Sequence, residues 1–418
     1  MRERNNNLQT KLSHGRTFSG QEGDNEGLNT GQDRESVLEE ARQLKTRISD
    51  IETREEQLNA EMEGLAVQLP NITSMDTPVG DEAQVISYIN EHPEPVPSAS
   101  DRVWRSHVHI GSELELLDFA AAATTSGWGW YYLTNEAALL ELALVQYALS
   151  VAVKRGWKIV SPPSIVYSHI AAACGFRPRD QNGEQQVYAL QQAEKDKERG
   201  KPELSLAGTG EIPLAGMKAN QVLEEEELPL KVIGVSRCYR AEAGSRGLDT
   251  KGLYRVHEFT KVEMFAWTMP DGPESGLSHS KRVFKEMVEI QKEILRALGL
   301  HCRILEMPST DLGASATRKQ DIEAYFPSRR EKDDGWGEVT SASICTDYQA
   351  RRLGTRVRTD KFGRKTEWPH TVNGTAMAVP RVLAALLENG WDEKEMCVRI
   401  PAALQPWTGG MDVIRKKH

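Results

Sequence analysis

Between Val37 and Leu69 the apolar positions Val37, Ala41, Leu44, Ile48, Ile51, Leu58, Met62, Leu65 and Leu69 recur at alternating steps of four and three, interrupted on the seam by Glu55. A 3.5-residue repeat flanked by charged positions predicts a coiled-coil helix, stopped by Pro70. An amphipathic helix packed on its own domain is the plainer reading of such a stripe; the strict heptad favours the coiled coil. The helix would be roughly 50 Å long at 1.5 Å per residue, while residues 1–14 upstream could supply roughly 20 Å. Residues 15–35, with Gly15, Gly20, Gly23, Gly27 and Gly31 among polar neighbours, read as a flexible connection. The expectation is a helical arm over 1–72 whose seam is largely unpaired. Either the chain is truncated at its N-terminus or the helix pairs with another molecule.

The pattern then changes twice. Residues 73–105 carry Pro78, Pro93, Pro95 and Pro97 among acidic residues and read as a linker. Residues 106–418 alternate helical stretches (135–154, 279–299) with short apolar strands (157–160, 231–235, 261–267, 302–306), which predicts an α+β domain. A length of 418 residues suits two domains. The formal charge of −9 gives no global mark of nucleic-acid binding, so any RNA contact must be local. No run of about 18 apolar residues is present, so no membrane span is expected. The five scattered cysteines argue against zinc and against a disulfide framework, and for a reducing compartment. An apolar secretory core is absent from the first residues.

No phosphate-binding G-x-x-x-x-G-K-[ST] loop and no G-x-G-x-x-G turn occur, so any bound nucleotide must be held by charged side chains. The densest candidate is 237–265, RCYRAEAGSRGLDTKGLYRVHEFTKVEMF. Two strand-like ends enclose a polar loop with Gly244, Gly247 and Gly252. Alternation would set Arg240 and Glu242 on one face of the first strand, and Phe259 with Lys261 and Glu263 on one face of the second. A guanidinium, a carboxylate and an aromatic ring suit a planar heterocycle carrying phosphates. A charged antiparallel hairpin with a solvated face accounts for the same residue types.

That stretch resembles motif 2 of the class II aminoacyl-tRNA synthetases in its seryl form. Leu206–Pro213 is similar to the family's serine-binding T-x-E loop. Gly337–Ser343, followed by Asp347, Gln349, Arg351 and Arg352, resembles its metal and ATP segment. His370–Thr375, leading to Arg381, Glu388 and Asn389, resembles motif 3, and Gly156–Pro163 resembles the motif 1 strand of the dimer interface. The heptad helix is similar to the second half of the family's tRNA-binding arm. His109–Ser112, which looks like the HIGH box of the other synthetase class, has no lysine-rich partner and reads as coincidence.

The resemblance implies an antiparallel sheet flanked by helices, preceded by a partial arm, that makes seryl-adenylate from L-serine and ATP and charges tRNA(Ser) as a homodimer. It implies Arg240 and Arg381 as catalytic. It places Thr209, Gly210, Glu211, Glu263 and Thr375 on serine. ATP would be held by Arg240, Ala241, Glu242, Val256, Phe259, Glu338, Val339, Thr340, Ser341 and Arg381, and Mg²⁺ by Glu338 and Ser341. Three departures stand out: Thr375 where the family has Ser, Pro380 where it has Gly, and Ala173–Arg179 in place of a G-T-G-Q-L-P segment. Pro380 is expected to shift Arg381. The third departure resembles the fungal mitochondrial branch and suggests the mitochondrial matrix, with the cytoplasm as the alternative. The charged stretch 191–203 reads as a solvated insertion. Two other readings are a non-catalytic RNA-binding relative and a ligase that charges a carrier protein; the heptad helix argues against the second.

Overall fold

The computed structural model describes residues 3, 4, 6, 7, 10, 31–92, 105–176, 185–242, 252–271, 278–331, 333–360 and 365–416. The chain divides into two compact units, Met1–Leu69 and Pro70–His418.

The first unit is dominated by α1 (Gly31–Ala66), which starts inside the expected connection and ends before Pro70. Residues 15–30 of that connection lie outside the described residues. The Arg4 guanidinium pairs with Glu40. Along the heptad seam Ile51, Leu58, Met62, Leu65 and Leu69 are exposed.

The second unit is built on one eight-stranded sheet. In chain order its parts are β1 (Gln84–Ile89), α2 (His107–Glu113), α3 (Asn135–Lys154), β2 (Lys158–Val160), α4 (Glu211–Gly216), β3 (Leu230–Tyr239), β4 (Glu258–Thr268), α5 (His279–Ala297), β5 (Cys302–Glu306), β6 (Arg318–Tyr325), β7 (Trp336–Thr346), α6 (Tyr348–Leu353), β8 (His370–Ala378) and α7 (Val379–Gly390). The spatial order is β1-β5-β6-β7-β8-β4-β3-β2, antiparallel except for β2 against β3. The linker reading of 73–105 is corrected in its first part, because Gln84–Ile89 forms an edge strand against Cys302–Glu306. An edge strand pairs on one side only, so its sequence carries little of the apolar signal of a central strand. Residues 93–104, with the other prolines, lie outside the described residues.

One face of the sheet carries the core. Ile304, Ile322, Ala342, Ile344, Val372 and Met264 point to α3, α5 and α7, which supply Leu144, Phe284, Met287 and Leu383. Helix α3 is long and apolar enough to cross a membrane by length and composition alone, and half of that stretch is buried in the core. Helix α5 is amphipathic: Ser278 caps it, and Val283, Phe284, Met287, Ile290 and Ile294 form its buried stripe. On the same stripe Gln291 is fully buried, and its Nε2 donates to the carbonyls of Ser341 (2.7 Å) and Thr375 (2.8 Å). It holds β7 and β8 from behind.

Glu388 on α7 ties the helices together. It accepts from His107 Nδ1 (2.7 Å) and N (3.1 Å), and from Ser328 Oγ (2.7 Å) and N (3.0 Å). His107 Nε2 accepts from the Leu253 amide (3.0 Å), which leaves the ring proton on Nδ1. Replacing Glu388 by alanine would strand several buried donors, so the second unit should lose about 3 kcal/mol or more of stability. Urea denaturation of Glu388→Ala against the parent protein checks this.

Candidate active site

The other face of the sheet carries the polar residues, and bulges decide which. Ser341 lies opposite Asp321 and Thr340 opposite Ile322, but Glu338 lies opposite Glu323, so β7 holds one extra residue there. The extra residue reverses the alternation and brings Glu338 to the face of Ser341. Thr375 lies opposite Glu263 in regular register, just before a second bulge between Thr375 and Met377. Strict alternation, as read from sequence, could not have placed Glu338.

These residues line a cleft of about 570 Å³, counting its open part, with Arg240, Glu242, Val256, Phe259, Glu338, Val339, Thr340, Ser341, Thr375 and Arg381 on its walls. Of the expected nucleotide residues, Ala241 is not on the wall; its amide bonds to the Gln186 carbonyl (3.1 Å). The expected strand pairing of Arg240 with Glu242 is also corrected. β3 ends at Tyr239, and Glu242 has φ 48°, so the two are brought to the cleft by an irregular turn. Arg240 Nε donates to the Gly208 carbonyl (3.2 Å), and its guanidinium lies 5.3 Å from the Phe259 ring centre. Glu242 faces Arg255 at 3.3 Å. Residues 243–251, with Gly244 and Gly247, lie outside the described residues.

Arg381 is fixed on three sides. Nε donates to the Tyr254 carbonyl (3.0 Å), NH1 reaches the Glu338 carbonyl (3.0 Å) and carboxylate (3.2 Å), and the guanidinium stacks 4.5 Å from the Tyr254 ring centre. Pro380 sits in the first turn of α7, where its missing N–H has no intrahelical partner to lose. Loss of hydration works to raise the Glu338 carboxyl, but Arg381, Lys319 and Arg240 outweigh it and hold the group below its ordinary value.

Below the cleft lies a second, tighter cluster. Lys261, itself buried, donates to Thr209 Oγ1 (2.5 Å) and pairs with Glu263 (2.8 Å), and Thr375 Oγ1 donates to the same carboxylate (3.2 Å). Glu211 at the start of α4 accepts from Gln349 Nε2 (2.5 Å), whose Oε1 accepts from Thr371 (2.6 Å). A Cβ on Gly210 would come within 2.8 Å of Ser236 Oγ and 2.9 Å of Glu263 Cβ, so only glycine lets the loop lie this close to β4. Lys261 and Tyr254, which also line the cleft, were not among the residues expected from sequence. Lys261 lies between Phe259 and Glu263 on the face they share, and that alternation was the available signal.

Loss of hydration and the nearby Glu263 push Glu211 up to about 7, against Lys261, the Gln349 hydrogen bond and Arg240. Its folded value lies above the ordinary 4.5, so the folded state holds the proton more tightly and stability falls as pH rises between about 4.5 and 7. Glu211→Gln should therefore raise the melting temperature of the ligand-free protein at pH 8 and leave it little changed at pH 4.5. A thermal scan at both pH values checks this; an unchanged melting temperature at pH 8 would remove the buried charge as its cause.

Residues 189–390 match the tRNA synthetase class II core domain (G, H, P, S and T). The mitochondrial serine–tRNA ligase of Saccharomyces cerevisiae is 43% identical over 373 residues, 89% of this chain and 78% of that protein. The serine–tRNA ligase of Rhodopirellula baltica is 40% identical over 383 residues, 92% of this chain and 84% of that one. Among solved structures, the seryl-tRNA synthetase of Pyrococcus horikoshii complexed with ATP superimposes with a TM-score of 0.83 at 31% identity, covering 100% of this chain and 89% of that one. The fold is that of a class II aminoacyl-tRNA synthetase. Within that class, the chain belongs to the seryl-tRNA synthetases.

Proposed function

We propose that the protein activates L-serine with ATP and transfers it from seryl-adenylate to the 3′ end of tRNA(Ser). The observation that carries this reading is the stacking of two unlike sites: an arginine-walled, aromatic cleft above a small cluster of carboxylates, hydroxyls and one lysine. Attack of the serine carboxylate on the α-phosphorus requires positioning and charge neutralisation rather than a covalent enzyme intermediate. Arg240 holds the α-phosphate and the serine carboxylate. Phe259 offers a ring face to adenine, Arg381 covers the other side, and Glu242 and Val256 lie toward the base and ribose. Glu211 and Thr209 take the serine ammonium, while Glu263 and Thr375 read the hydroxyl. A hydroxyl-reading pocket rejects alanine strongly, because its polar groups are then left unpaired.

Glu338 and Ser341 fit a magnesium ion: both are oxygen donors, and the bulge in β7 sets them on one face beside the cleft. The ion supplies charge neutralisation on the triphosphate. Two copies pair through the motif 1 strand, which is the sheet's edge strand β2 and exposes Ile159. The arm α1 contacts the tRNA by shape and backbone. The matrix of the mitochondrion is the site of action; the relatives that support it include mitochondrial enzymes of two yeasts and of mouse, alongside bacterial ones.

Exchange of labelled pyrophosphate into ATP, run with serine, threonine, alanine and glycine and followed by tRNA charging, tests the reading. Exchange with serine alone supports it. No exchange with any of the four, in a folded protein, would leave a non-catalytic RNA-binding relative.

A further inference from the structure

The end of β7 leaves the sheet through an irregular turn. Ile344 lies opposite Val372 and Thr346 opposite Thr371, so Cys345 is an extra residue, and Thr346 follows it at φ 46°. A left-handed backbone is unusual for a β-branched residue and persists only where the surroundings hold it. Through Asp347 the turn feeds α6, whose second residue is Gln349. Gln349 is fully buried; it donates to Glu211 and accepts from Thr371. The side chain that meets the serine cluster is thus aimed by a turn three residues before it.

Asn71, the residue after Pro70, grips that turn from 274 positions away in sequence. Its Nδ2 donates to the carbonyls of Cys345 (2.7 Å) and Ser315 (2.8 Å), with the Thr346 hydroxyl at 3.1 Å. Two hydrogens among three acceptors leave this nitrogen fully used. The amide oxygen turns back and accepts from the Ile72 N–H (2.9 Å), which fixes the amide's orientation. Backbone bonds seat the same segment just ahead of β6: the Asn71 amide donates to the Ala314 carbonyl (2.8 Å) and the Ser74 amide to the Thr317 carbonyl (2.8 Å). Thr317 in turn gives its amide to the Ile344 carbonyl (2.8 Å), one residue before the bulge.

We propose that Asn71 is a positioning residue for the amino-acid pocket: it clamps the Cys345–Thr346 turn so that α6 presents Gln349 to Glu211. The segment that follows the arm and the serine cluster are then energetically linked. The proposal rests on Glu211 meeting serine.

Serine-dependent pyrophosphate exchange on the full chain, with serine and ATP varied separately, tests it. Asn71→Ala should raise the KM for serine about tenfold, the scale of one misaligned hydrogen bond, and leave the KM for ATP unchanged. Gln349→Ala should also raise the serine KM, and the double variant should be no worse than Gln349→Ala alone, because both changes break one path. An unchanged serine KM in Asn71→Ala, equal rises in both KM values, or effects that multiply in the double variant would overturn the proposal. Linkage is reciprocal, so the parent protein gives a second reading that needs no variant to fold. Binding of a seryl-sulfamoyl adenosine analogue should slow hydrogen exchange at the amides of Asn71 and Ser74. Exchange there that ignores the analogue, while the Glu211 amide responds, would also overturn it. A parent protein with no serine-dependent exchange would sink the serine reading itself, and this inference with it.

Discussion

Arg240→Ala should lower serine-dependent pyrophosphate exchange by about a thousandfold, the scale seen when one preorganised donor to a developing charge is removed. The guanidinium is held from two directions, by the Gly208 carbonyl and by the Phe259 ring. It spans the boundary between the nucleotide cleft and the serine cluster, so its loss should depress turnover more than substrate affinity. Arg240→Lys keeps the charge but not the planar fork, and should recover a small part of the rate. Steady-state exchange kinetics with serine and ATP varied separately decide the matter. A raised KM for ATP at unchanged kcat would make Arg240 a ground-state anchor and nothing more.

The second large effect concerns Glu263. Alanine there would leave Lys261 buried without its carboxylate and confound binding with folding, so the informative change is Glu263→Gln. It keeps the shape and removes the charge that accepts from Lys261 and Thr375. Loss of a charged acceptor worth about 3 kcal/mol should weaken a seryl-sulfamoyl adenosine analogue by about a hundredfold. The alanyl analogue, which has no hydroxyl to read, should lose much less. Titration calorimetry with both analogues makes the comparison. Equal losses would move Glu263 from the hydroxyl to the ammonium and leave Thr375 as the hydroxyl reader.

Much of this site was legible because its residues lie in three short, ordered strings. Arg240, Phe259 and Glu263 share one string, Glu338 and Ser341 another, and Thr375 and Arg381 the third; all but Glu263 line one cleft. The helices at 135–154 and 279–299 and the strands at 231–235, 261–267 and 302–306 were visible in apolar periodicity because each buries a full face. What escaped depends on irregular backbone or on partners far away in sequence. Glu242 reaches the cleft through a left-handed residue, and Glu338 shares a face with Ser341 through one extra residue on β7. Lys261 finds Thr209 across 52 positions, which local spacing cannot reveal. Pro380, expected to shift Arg381, stands at the head of a helix, where its missing donor has no intrahelical partner to lose. The edge strand β1 was hidden because half of its backbone pairing goes unmet.

One amide behind the sheet also bears on how the two substrates speak to each other. Gln291 grips the backbone of Ser341, on the nucleotide side, and of Thr375, on the amino-acid side, with the two hydrogens of a single nitrogen. Any widening between β7 and β8 that eases one substrate in must stretch a bond that sets the other's pocket. The pair of strands therefore behaves as a shared hinge pin, and occupancy of one pocket should stiffen its neighbour before the substrates ever touch.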